Sequence, residues 1–243
     1  LHLSGRGSPT DIDALQFSAL LDQVGIQAYH NAPMLQGISG SISGSPSAGE
    51  LRINNQQWSM QLPHLFPEVW QYDSAQGALN WSWSQDGGLG LHTAGISVAG
   101  EEGKAAVKLD LQLPPTGQVP KMDLRVALRD SQASVHRRYL PLRAPAFSPA
   151  LGTWLAASGV NGKVPLAIFS YSGSLLKSAT NEERDIGLYA ELRDGELLFQ
   201  SGWPLLTEIN ADLRLQGGLL DIRGEQARLW NTNASDTRVS AQC

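Results

Sequence analysis

Apolar and polar residues alternate with a period of two along most of this chain, which restricts it to extended strands with one greasy and one wet face. Val107, Leu109, Leu111 and Leu113 alternate with Lys108, Asp110 and Gln112. Met122, Leu124, Val126 and Leu128 alternate with Asp123, Arg125, Ala127 and Arg129, and Ile209, Ala211, Leu213 and Leu215 with Asn210, Asp212, Arg214 and Gln216. Shorter copies occur at Leu15–Leu21, Ile38–Ile42, Leu51–Ile53, Trp58–Leu62, Leu79–Trp83, Leu89–Leu91 and Ile96–Val98. Others follow at Leu166–Tyr171, Leu188–Leu192, Leu197–Phe199 and Leu219–Ile222. On the order of a dozen strands joined by short turns predicts a mainly β, antiparallel protein.

The turns are legible too. Asp194-Gly195 and Gly217-Gly218 each sit between apolar runs and read as tight hairpins, because both dipeptides tolerate positive φ. Asp86-Gly87-Gly88 joins two strands, while Ser45-Pro46-Ser47-Ala48-Gly49 and Pro114-Pro115-Thr116-Gly117 form looser loops. Two short helices are expected, one over Ser131–Tyr139 and one after the Ser148-Pro149 cap, reaching Ala157 and stopping at Gly159. The chain therefore divides into alternating strands over 1–129, a helical insertion over 130–160, and further strands over 161–243. Ile38–Ile53, Gly77–Leu91 and Ala211–Ile222 share a strand–turn–strand grammar that suits either an internal repeat or unrelated hairpins.

Composition narrows the partners. A net charge of −5 argues against a nucleic-acid ligand and against electrostatic adsorption to anionic lipid. The lone Cys243 can make no intrachain disulfide, and no apolar run approaches a membrane span. Starting at Leu1 and ending on Cys243, the chain reads as a section of something longer.

Catalytic patterns are missing. The histidines at 2, 30, 64, 92 and 136 show no metal-ligand spacing, no Gly-x-Ser-x-Gly elbow exists, and Gly103-Lys104 lacks the rest of a phosphate loop. Glu101-Glu102 and Glu182-Glu183 read as solvated loop charge. Neither enzyme activity nor a metal or cofactor is expected. Trp58, Trp81 and Trp83 alternate within strands and read as packing on a sheet face; an exposed row of them would instead bind sugar.

A sheet this large must hide its greasy face. It can fold into a sandwich, close into a barrel, or keep a groove filled by an apolar guest, and periodicity does not choose among these. The candidate lining is Val107, Leu109, Leu111, Leu124, Val126, Leu128, Leu188, Leu192, Ile209, Leu213 and Leu215. In a closed sandwich the same residues would form a dry core.

Arg137-Arg138-Tyr139-Leu140-Pro141, then Trp154-Leu155, then Gly159 through Val164-Pro165 resemble the YhdP family of AsmA-like proteins. So do Leu192-Arg193-Asp194-Gly195-Glu196-Leu197, Gly202-Trp203-Pro204-Leu205 and the strand pair Ile209–Ile222. The resemblance runs from about Asp130 to Leu229, and the polar run Asn231-Thr232-Asn233 departs from it. It implies a twisted antiparallel sheet curled into an open groove that binds phospholipid acyl chains. It further implies a periplasmic section of a protein anchored in the inner membrane and reaching toward the outer one. The family brings no catalytic residues, and the two short helices would cap or plug the trough.

Overall fold

The computed structural model describes residues 2–5, 15–28, 32–66, 68–139, 159–180, 182–199 and 202–242. They form one meander of thirteen antiparallel strands, each paired with its sequence neighbours. The strands are β1 (His2–Gly5), β2 (Leu15–Ile26), β3 (Met34–Gly44), β4 (Ala48–Gln61), β5 (Trp70–Ser84), β6 (Gly88–Gly100) and β7 (Gly103–Leu113). They continue as β8 (Lys121–Gln132), β9 (Gly159–Ser174), β10 (Arg184–Leu198), β11 (Leu206–Gln216), β12 (Leu219–Leu229) and β13 (Thr232–Gln242). A 3₁₀ helix over Ala133–Tyr139 follows β8. Strands β1 and β13 do not pair, so the sheet is open along both edges and is not a barrel.

The strands are longer than the alternation suggests. Leu51–Ile53 and Trp58–Leu62 lie on or at the end of one strand, β4, and Leu89–Leu91 and Ile96–Val98 share β6. Asp194-Gly195 is not a hairpin: it lies inside β10, where the register shifts between Leu192 and Gly195. Gly217-Gly218 is the expected tight turn, with φ of 56° and 77°. Strand β8 runs through Ser131 and Gln132, so helix begins only at Ala133. The helix expected over Pro149–Ala157 lies outside the described residues.

Several of the interruptions share one cause. Gln23, Gln57, Asp130, Asp194, Glu208 and Asp236 all have φ between 50° and 56°, inside strands. At each of them the inward-facing positions step by three residues instead of two: Leu21 to Val24, Asn55 to Trp58, Leu128 to Ser131, Leu192 to Gly195, Leu206 to Ile209. On β12 the step is Gly224 to Ala227, facing Thr237 and Ala234 across the Asp236 step on β13. These steps, some of them β-bulges and some matched by a step on the neighbouring strand, lie at corresponding levels on many strands and form a crease across the sheet. Side chains satisfy some backbone donors along it. Ser39 N–H donates to Asn55 Oδ1 at 2.6 Å, Gln23 N–H to Ser39 Oγ at 3.1 Å, and Asp194 N–H to Asn210 Oδ1 at 3.0 Å.

The left-handed backbone at Gln57 has a direct consequence. A β-branched residue is strained at φ of 52°, so Gln57→Val is expected to lower stability by about 1–2 kcal/mol. Gln56→Val, one residue away and also exposed, should be close to neutral. Urea unfolding midpoints of the two variants compare them directly; equal midpoints would remove the bulge.

Candidate functional site

Antiparallel pairing lines up same-face residues into rows that cross the sheet. One row runs Leu21, Gly40, Ile53, Gly77, Ile96, Val107, Val126, Phe169, Leu188, Leu215, Leu220, Ala241, one residue from each of twelve successive strands. The next row includes Ala75, Val98, Ala105, Leu128, Ala167, Ala190, Leu213, Ile222 and Val239. On the other side of the long row lie Leu109, Leu124, Tyr171 and Ile186, and then Leu91, Leu111 and Met122. Leu192 pairs with Ala211, and Ile209 pairs with Gly195 beside the Leu192 side chain.

All eleven candidate lining residues therefore lie on one face, and every one of them is half-buried. A sandwich core would bury them. Among the described residues the buried apolar side chains are only Ile38, Trp70, Ala75, Ala133, Ala179 and Ala211. The chain exposes 15638 Å², against roughly 10,600 Å² expected for a compact monomer of this mass. Among the described residues, little protein thus covers the apolar face over most of its length.

Two of the buried polar residues on this face spend their side-chain oxygens on the sheet. Asn55 Oδ1 accepts the Ser39 amide, and Thr93 Oγ1 accepts the Gly95 amide at 3.1 Å. The opposite face is charged. Lys108 lies opposite Arg125, and His92, Asp110 and Asp123 share a row. Arg193 pairs with Asp212 at 2.9 Å, and Arg238 with Asp221 at 2.8 Å.

Aromatic side chains lie near both rims. Trp81 lies over Gly49, where a Cβ would collide with its ring, and stacks on Phe17 with centroids 5.9 Å apart and planes 8° apart. Its Nε1–H donates to Ser45 O at 3.2 Å. Near the other rim, Trp58 stacks on Tyr72 at 4.9 Å, and Trp70 packs on Phe66 at 4.6 Å and on Tyr139 at 4.9 Å. Trp58 and Trp81 thus stack on neighbouring rings, as expected for packing on a sheet face, whereas Trp83 is exposed. Glu102 accepts from both Arg138 and the Tyr139 hydroxyl, and Arg138 reaches Glu68 at 3.5 Å. Burial, then its bond to Glu102, pushes the Tyr139 hydroxyl far above its ordinary pKa; burial likewise raises Tyr72. Both hydroxyls therefore keep their protons at neutral pH.

The alternation identified the lining face, because period two assigns side chains to faces without further information. It missed the rim cluster, whose members Phe66, Tyr72, Glu102 and Tyr139 come from separate elements. No group of His, Cys, Asp or Glu among the described residues is arranged to hold a metal ion, and no helix there is long and apolar enough to cross a membrane.

A family model described as "YhdP protein" matches residues 1–242. The match extends through both ends of the sheet, including the tail after Leu229 that the sequence motifs left unassigned. No curated protein and no solved structure gives a significant match.

Proposed function

The chain belongs to the YhdP family, and from that membership together with its half-buried apolar face we propose that it holds phospholipid acyl chains along a β-trough. It serves as a periplasmic section of a longer protein that carries lipid between the inner and outer membranes. The observation that carries this reading is the long row from Leu21 to Ala241, one residue from each of twelve successive strands and most of them half-buried.

The energetics suit a carrier. Burying a methylene is worth about 0.8 kcal/mol, so a chain of about sixteen carbons covered on one side gains roughly 6 kcal/mol. That holds a lipid out of water without trapping it, and it is insensitive to the identity of the chain. Headgroups stay solvated at the open side. No step in this task requires a catalytic group.

Native mass spectrometry of the purified protein tests the proposal. The expected spectrum carries co-purified phospholipid or takes up added phosphatidylethanolamine; a clean apo mass that stays clean after lipid addition overturns it.

A further inference from the structure

The burial on the apolar face is uneven, and several of its deepest positions lie toward the 3₁₀ helix, while Thr93 and Ala211 are buried elsewhere. Asn55, Ala75, Ser131, Ala133 and Trp70 are 1%, 2%, 3%, 8% and 7% exposed, whereas the rows through β7 to β12 stay largely half-open. Trp70, Ser131 and Ala133 belong to the corner bounded by the ends of β5 and β8, and Asn55 and Ala75 pair with each other further along β4 and β5. The helix has seven residues, and at about 2 Å rise each they span roughly 14 Å. Three strand spacings of about 4.8 Å give the same length. Leaving β8, the helix lies beside β9, and its far end comes to β5, where Tyr139 packs on Trp70 and its hydroxyl lies 3.5 Å from that of Tyr72. Glu102, in the β6–β7 turn, holds its far end through Arg138 and Tyr139.

We propose that this helix is a latched strap: it closes the trough over β5 to β8, and releasing Glu102 opens that stretch to an acyl guest. The inference rests on the trough reading above. Two further features fit a closure that opens. The indole Nε1–H groups of Trp58 and Trp70 and the Ser131 hydroxyl are buried without a hydrogen-bond partner, so the closed corner leaves donors unmet. A guest with ester or phosphate oxygens supplies acceptors for such donors. The hold at its far end is a small set of charged and phenolic contacts at the rim, Glu102 with Arg138 and Tyr139 and Arg138 with Glu68, beside one ring contact from Tyr139 to Trp70.

The test places a photo-crosslinking amino acid at Val98, under the strap, or at Leu188, three strands beyond β7. Each protein is incubated with phosphatidylethanolamine vesicles, with and without Glu102→Gln. The expected result is that Glu102→Gln raises lipid crosslinking at Val98 at least fivefold and leaves Leu188 unchanged. Tyr139→Phe, which keeps the ring and loses one bond to the latch, should give a smaller rise. Crosslinking at Leu188 also reports that the variant is folded. Unchanged crosslinking at Val98 beside normal crosslinking at Leu188 overturns the strap alone. No crosslinking at either position in the unmodified latch overturns the trough itself.

Discussion

Val126→Glu should cut lipid crosslinking at Leu188 at least tenfold while the protein stays folded. Val126 sits mid-row between Val107 and Phe169, on the apolar face and only half-buried. An unpaired carboxylate set against a hydrocarbon chain costs several kcal/mol, well beyond the ~1.4 kcal/mol that separates tenfold in occupancy. The fold loses less, because the new carboxylate can turn toward water in the empty trough. A destabilisation of about 1–2 kcal/mol would lower the thermal midpoint by roughly 2–8 °C in a chain of this size. Arg125→Glu is the matched control, one residue away on the charged face, and should leave lipid contact unchanged. If Val126→Glu unfolds the protein outright, Val126 belongs to a dry core and the trough is closed.

Gly40→Ala is expected to be among the most destabilising single-methyl additions, at about 3 kcal/mol or more, read as a fall in the urea midpoint. Gly40 has φ of 148°, and an added Cβ would stand 2.0 Å from the Arg52 carbonyl oxygen on the adjacent strand. Neither backbone can yield without breaking the β3–β4 ladder, and Gly40 is also one link of the long apolar row. Gly95→Ala offers the contrast. It meets nothing within 4 Å and has no positive φ, so its midpoint should barely move. Equal midpoints for the two alanine variants would show that the β3–β4 pairing is looser than described.

The correspondence between sequence and fold is close where the pattern is regular and fails where it breaks. Lys104 to Leu113 and Lys121 to Arg129 alternate without a fault, and β7 and β8 follow them residue for residue. Asp194-Gly195 misleads because an Asp-Gly pair supplies the same left-handed conformation to a hairpin and to a bulge. Its neighbours decide between them. Leu197 continues in β10 and pairs with Leu206 on the next strand rather than turning back on Leu192. The three-residue step at Gln23 and Glu208 shows in the sequence as Leu21 and Val24, and Leu206 and Ile209, but taken one strand at a time it reads as a flaw in the pattern. It becomes a crease only when the strands are side by side.

Alternation alone established strands and their two faces, and put the eleven candidate residues together on the apolar one, because a strand repeats every two residues whatever surrounds it. Whether anything covers that face was decided by the tertiary structure. Covering depends on how far successive bulges bend the sheet and on where the Ala133–Tyr139 segment lies, and both are set by contacts between residues distant in the chain. The tie from Glu102 to Arg138 and Tyr139 spans more than thirty positions, a separation at which no local pattern carries information.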